Sequence, residues 1–243
     1  MASVIEFDGV GFWAQGRALV SGLSIGFEEK SAVALIGPSG GGKSTILKLA
    51  AGLCIPGAGR VLFRGRGIWE MSRSENLAFR KEAAFVFQDS ALWANQSLFQ
   101  ILELPLRVHF PGMSAGERKL RVESAAARVG YRRDLGMRPA ALSRGEQKLV
   151  AFARAIICEP TLLFLDEWTE SLDEKSAQRL IAIVKKMKED GATLIFVSHD
   201  VRVIRGLSDV VLLVSGGGIS SRLSASEIAG EGDIERLVEM GAA

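Results

Sequence analysis

Between Gly37 and Ser44 the chain reads Gly-Pro-Ser-Gly-Gly-Gly-Lys-Ser, two glycines separated by four residues and followed by Lys43 and Ser44. This is the spacing of a phosphate-binding loop. Gly37, Gly40, Gly41 and Gly42, with Pro38 and Ser39 between them, let successive N–H groups turn toward one point, and a helix opening after the loop adds partial positive charge. Lys43 would reach the terminal phosphates and Ser44 a Mg²⁺ ion, so Gly37 to Thr45 is the expected nucleotide-binding segment. A second pair, Asp166-Glu167, closes the apolar run Leu162 to Leu165. There Asp166 would hold the hydration shell of Mg²⁺, and Glu167 would orient and deprotonate an attacking water. An Asp-Glu pair after a strand is common on surfaces; the phosphate loop is what gives this one weight. Ser198-His199-Asp200 ends a third apolar run.

These groups need a scaffold. Ala32 to Ile36 is a short continuous apolar run, the pattern of a strand buried on both faces. It leads into the loop, after which Ile46, Leu47, Leu49 and Ala50 recur at helical spacing. Thr161 to Leu165 and Thr193 to Val197 repeat the apolar run, and three parallel strands ending in polar residues predict one catalytic edge of an α/β fold. Alternation over Ser3 to Phe7 and Leu23 to Phe27, separated by a glycine-containing stretch with Trp13, predicts a small antiparallel β meander. From Asp89 to Pro160 the pattern turns amphipathic and helical, clearest over Glu117 to Val129 and Glu146 to Ile157, with Pro105, Pro111, Gly112 and Pro139 as punctuation. The expected organisation is a single domain over 1–243, with an α/β core at about 1–88 and 161–221 and a helical subdomain at about 89–160. A tail at about 222–243 follows, its stretch from Arg222 to Met240 reading as a short docking helix.

The composition is that of an ordinary globular protein: 243 residues, 48% hydrophobic and 24% charged, with 30 Lys+Arg against 28 Asp+Glu and a net charge of +2. It excludes disorder and fibres and is too balanced to imply a nucleic-acid partner. Cys54 and Cys158 have no neighbour at metal-ligand spacing and are expected in the core of a reduced, cytosolic protein. Met1 to Asp8 lacks a secretory pattern, and no run approaches the ~20 apolar residues of a membrane span. A cytoplasmic location, peripheral on the inner face of the membrane through a partner, is the expectation.

Leu142-Ser143-Arg144-Gly145-Glu146-Gln147 precedes a helix and lies upstream of Asp166. With two substitutions it resembles Leu-Ser-Gly-Gly-Gln, the signature of the nucleotide-binding subunits of ABC transporters, and the resemblance runs from about Ile5 to Val214. It implies a phosphate-loop ATPase with a RecA-like core, an N-terminal antiparallel β subdomain and an inserted helical subdomain, using ATP and Mg²⁺. By the same resemblance Trp13 stacks on adenine, Gln88 after Ala84 to Phe87 contacts Mg²⁺ and water and senses the membrane partner, and His199 contacts the γ-phosphate. Ser171-Leu172-Asp173 crosses a dimer interface. Ser143 and Gly145 serve the nucleotide of a second copy, or of a sister subunit, closed head-to-tail around two ATP·Mg²⁺. The other histidine, His109, matches nothing and reads as a surface loop residue.

The resemblance also implies a separate transmembrane permease, docked at the groove around Gln88 and Asp89 to Ile101. Phe87 to Trp93 followed by Leu104-Pro105-Leu106-Arg107 is similar to ATPases of Mla/Mce-type phospholipid trafficking, which implies a lipid cargo and a lipid-binding or substrate-binding protein. Import of amino acids or metals is the competing cargo class. Two other functions stand beside transport: a soluble ABC ATPase of DNA repair, iron–sulfur assembly or translation, and a regulatory module without turnover. The first usually carries a second cassette, a coiled-coil insert or a nucleic-acid surface, none of which is seen; the second is motivated by Arg144 and Glu146. Arg144 requires a backbone outside positive φ. Glu146 should repel a nearby triphosphate unless Arg144 or Lys148 offsets it. Trp168 stands where the family generally has Pro and affects backbone stiffness and packing.

Overall fold

The computed structural model describes residues 3–228. In chain order these form β1 (Ser3–Ala14), β2 (Arg17–Glu28), β3 (Ala32–Ile36), α1 (Lys43–Ala50), β4 (Ala58–Phe63), β5 (Arg66–Gly67), α2 (Arg73–Glu82) and β6 (Ala83–Val86). Then come α3 (Leu98–His109), α4 (Ala115–Arg128), α5 (Arg144–Ile156), β7 (Leu162–Asp166), α6 (Glu174–Glu189), β8 (Thr193–Val197), α7 (Val201–Leu207), β9 (Val210–Ser215), β10 (Gly218–Ser224) and α8 (Ala225–Ile228).

A six-stranded sheet has the order β10-β9-β3-β8-β7-β6, and a four-stranded sheet the order β2-β1-β4-β5. In the larger sheet β3 pairs in parallel with β8 and β9, and β7 with β6 and β8; β10 runs antiparallel to β9. Every residue of β3, β7 and β8 is buried, because side chains alternate between two cores. Ala32, Ala34 and Ile36 face the core shared with α3, α4 and α5, while Val33 and Leu35 face the core shared with β1, β2 and α1. Full burial of each large aliphatic side chain stabilises by about 1.5–3 kcal/mol. The ends of β3, β6, β7 and β8 therefore release Gly37, Phe87, Glu167 and Ser198 along one edge.

Several expectations change. The N-terminal meander is a long hairpin, β1 and β2, turned at Gln15 and Gly16, whose φ values are 51° and 73°; Trp13 lies within β1 rather than in a link. Pro105 does not punctuate but sits inside α3. A proline there removes a helix hydrogen bond, and the fully buried Leu98, Ile101, Leu102 and Leu106 hold the helix together across the defect. His109 ends that helix, half-buried, rather than lying in a surface loop. Cys54 and Cys158 are free and only half-buried, packed at the margins of the two cores. Arg222 to Ser224, read as the start of a docking helix, belong to β10, with α8 following; the remainder of that stretch, 229–240, lies outside the described residues. Ser72, Ser97, Ser114 and Ser143 each open a helix with a reciprocal capping box, which satisfies otherwise orphaned N–H groups.

Candidate active site

The loop after β3 is shaped by close backbone approach. Gly37 and Gly42 have φ of 138° and 103°, and a Cβ there would come 2.1 Å from the Val214 carbonyl and 2.6 Å from that of Leu19. The Gly41 N–H donates to the Pro38 carbonyl at 3.0 Å. Inside the arch the Lys43 ammonium donates to the carbonyls of Gly37 at 2.6 Å and Pro38 at 3.0 Å. Burial lowers its pKa, while Glu167 and Asp166 act in the opposite sense. The N–H groups of Lys43, Ser44 and Thr45 open α1 and have no carbonyl one turn earlier in the helix. Over the loop lies a cavity of about 320 Å³ lined by Ser39, Gly40, Lys43, Ser44, Gln88, Glu167, Glu170, Val197 and His199. The loop is folded around its lysine yet open to a ligand.

Below this cavity Ser44 Oγ donates to Asp166 Oδ1 at 2.9 Å. Asp166 is buried, and burial raises its pKa, partly offset by Ser44 and nearby lysines. An all-oxygen pair of this kind suits a hard divalent cation such as Mg²⁺. Glu167 adopts φ of 42°, an uncommon backbone for a residue with a Cβ, and its N–H donates to the Val197 carbonyl at 3.1 Å. That turn brings the carboxyl to the cavity. Its Oε1 is buried without a hydrogen-bond partner, although His199 Nε2 is 3.2 Å away. Burial, reinforced by Asp166 and Glu170, raises the Glu167 pKa to about 7. A base whose proton affinity matches the surrounding pH is what proton abstraction requires. Burial and Lys43 lower the His199 pKa, with Glu170 acting in the opposite sense.

Gln88 also lines the cavity, and its Nε2 donates to Glu170 Oε2 at 3.0 Å. Sequence reasoning missed Glu170 and gave Lys148 the wrong partner. The Lys148 ammonium does not approach Glu146 but donates to the backbone carbonyls of Gln88, Phe87 and Glu167. A signal was present: Lys148 shares a helical stripe with Phe152 and Ile156, both buried, and a lysine in an apolar stripe is out of pattern.

The signature residues stand apart. Ser143 and Gly145 do not line the cavity; Ser143 caps α5, accepting from the Glu146 N–H at 3.2 Å. Arg144 is the first residue of that helix and has no positive φ, so the missing glycine costs no strain. Arg144 and Lys148 are the candidates the sequence offers to offset Glu146, but the cation that does so is Arg133, whose Nη1 lies 2.9 and 3.1 Å from its carboxylate oxygens. Its carboxylate also accepts from the Ser143 N–H at 2.9 Å. Asp173 caps α6, accepting from the Ser176 N–H at 3.0 Å and hydroxyl at 2.6 Å. Trp13 lies over Gly11 and Gly57, where any Cβ would strike the indole, and is 52% exposed. Trp168 is buried and stacks on Phe152 at 5.7 Å. A separate groove of about 410 Å³, bordered by Phe87, Ala91, Trp93, Pro105, His109 and Arg154, takes in part of the stretch expected to meet a permease.

No helix among the described residues is long and apolar enough to cross a membrane. The family model described as ABC transporter matches residues 20–170. Nickel import ATP-binding protein NikO of Rhodobacter capsulatus is 34% identical over 236 residues, spanning 94% of this chain and 92% of its own. Methionine import ATP-binding protein MetN of Cereibacter sphaeroides is 33% identical over 223 residues, 89% of this chain and 63% of its own. Among solved structures, the dimeric post-hydrolysis state of the ATP-binding cassette MJ0796, bound to ADP and Pi, superposes with a TM-score of 0.84 at 27% identity, covering 91% of this chain and 98% of that one. With the strand edge, the arched loop and the carboxylates beneath it already in place, these likenesses identify the chain as an ATP-binding, ATP-hydrolysing domain of the ABC transporter family.

Proposed function

We propose that the chain is the ATPase subunit of an importer, closing as a head-to-tail dimer around two ATP molecules and driving a separate membrane permease. The observation that carries this reading is the convergence of Lys43, Ser44, Gln88, Glu167 and His199 on one cavity, while Ser143 and Gly145 are not among its lining residues: Ser143 caps α5 and Gly145 lies against the Ser171 carbonyl. Lys43 and the N–H groups at the start of α1 would bind the phosphates. Ser44 and Asp166, with Gln88, would hold Mg²⁺, which when bound screens the phosphate charge. Glu167 takes the proton of the attacking water, and His199 stands beside it at the γ-phosphate position. Phosphoryl transfer needs positioning and charge neutralisation more than covalent chemistry, and the residues supply both. Trp13 offers a flat, half-exposed face to adenine, and Asp173 lies in the loop expected at the dimer interface.

The cargo class follows the relatives: NikO and MetN are nickel and methionine import proteins by name, which favours a metal ion or amino acid over phospholipid. The groove bordered by Phe87, Trp93 and Pro105 is the docking place for the permease, with the membrane reached through that partner. The test is size-exclusion chromatography of Glu167→Gln with and without MgATP, where an ATP-dependent dimer is expected and a monomer under both conditions refutes the assembly. Stimulation of the reconstituted transporter's ATPase by nickel or methionine would place the cargo; stimulation by phospholipid alone would reverse that assignment.

A further inference from the structure

Lys148 is buried, 3% exposed, in a stripe of α5 that is otherwise apolar. Taking an ammonium out of water is costly unless it is hydrogen-bonded, and burial does lower its pKa. Its hydrogen bonds go to backbone carbonyls from two strand ends, while Glu170, Asp166, Asp89 and Glu167 favour its charge through space. One pair, Phe87 and Gln88, follows β6; the third, Glu167, follows β7 at 3.3 Å. One side chain from α5 thus holds the peptide that carries Gln88 and the peptide that carries Glu167. A second contact runs in parallel, since Phe152 of α5 stacks on Trp168, the neighbour of Glu167. Gln88 is gripped at its other end as well, by Glu170 on its side-chain amide.

We propose that Lys148 is a positioning residue: it fixes Gln88 and Glu167 relative to one another and ties both to the helix that begins at Ser143, so that displacement of α5 reaches both groups together. The charge matters because charge-assisted hydrogen bonds are about twice as strong as neutral ones; the Phe87 and Glu167 carbonyls also accept from the Ser90 and Glu170 N–H groups, so it is the Gln88 carbonyl that an apolar side chain would leave unpaired. Local rules broken without a packing gain are expected at functional sites. The inference rests on the assignment of Glu167 as base and Gln88 as its companion.

The test compares Lys148→Gln and Lys148→Arg in the full chain, reading single-turnover hydrolysis, MgATP affinity and binding stoichiometry by calorimetry. Lys148→Gln should lower the hydrolysis rate about tenfold with affinity and stoichiometry unchanged, and Lys148→Arg, which keeps the charge on a bulkier head, should fall between it and the parent. A merely structural role would instead lower the stoichiometry with the folded fraction and leave the rate per bound site intact, and that result overturns the proposal. So does a rate within twofold of the parent for Lys148→Gln. Should Lys148→Gln not fold, Lys148→Arg decides alone: a fall of threefold or more at unchanged affinity supports the proposal, an unchanged rate rejects it. In a Gln88→Ala background the effect of Lys148→Gln should shrink to less than threefold; full additivity contradicts coupling through Gln88. If Glu167→Gln hydrolyses normally the underlying site assignment fails, whereas if it is inactive and the Lys148 variants are normal only this inference does.

Discussion

The phosphate-loop half of the site and the signature half are built on opposite plans. Around the loop Lys43 and Asp166 are withdrawn from water and already paired within the chain, Lys43 on its own loop carbonyls and Asp166 with Ser44, while Glu167 Oε1 is buried without a hydrogen-bond partner. Around the signature Ser143 and Arg144 are exposed, and the polar atoms are satisfied by a helix cap and by Arg133, itself at the surface. The first half is a cavity with polar groups gathered around it, and the second is an exposed helix start. Helix α5 belongs to both, running from the exposed cap to the buried Lys148.

The strongest attack on this contrast is Glu167→Gln, which should slow hydrolysis by about 10³-fold while leaving ATP affinity intact; single-turnover kinetics with parallel calorimetry separates the two. The same variant changes stability without nucleotide. Because the folded-state pKa of about 7 lies above the ordinary 4.5, the fold favours the protonated carboxyl. Stability is then greatest below the ordinary value and is lost as pH rises toward 7, by about 3 kcal/mol in all. Glu167→Gln removes this penalty, so its Tm should exceed the parent's by a margin that grows from pH 4.5 to 7 and then levels. Parallel Tm curves would show that the carboxyl is not withdrawn from water.

Lys43→Ala should weaken ATP binding roughly 30-fold, the loss of a charged hydrogen-bonding partner; calorimetry showing an unchanged affinity contradicts the loop assignment. Effects in the signature half should be smaller. Arg133→Ala leaves the Glu146 carboxylate without its cation, and the ATP-driven dimer should weaken about threefold at low salt and less at high salt, measured by sedimentation. Glu146→Gln should change dimer affinity by less than about twofold, since glutamine at that position keeps the capping box. A large gain would mean that Arg133 does not neutralise Glu146.

How much of this was legible in the chain follows from the reach of each interaction. Gly37 to Ser44 could be read directly because phosphate binding imposes residue types on contiguous backbone. The buried strands were legible because a strand covered on both faces is apolar without interruption. Ser143 and Glu146 form a capping box visible at a spacing of three, yet the cation that neutralises Glu146 lies 13 residues away at Arg133 and nothing local points to it. Lys148 is harder still, its acceptors being 60 residues upstream and 19 downstream. Pro105 misled because a local rule was outweighed by burial of the helix face around it.

By itself, then, the order of residues determined the phosphate loop, the strands that end at the site and the separation of a helical region, since each is set by backbone conformation or periodicity over a few residues. Only the tertiary structure decided that Glu167 sits where burial lifts its proton affinity to about 7, that Glu146 faces Arg133 and that Lys148 joins two strand ends. Those properties come from desolvation and from contacts between distant segments, and neither exists until the sheet and α5 are packed together.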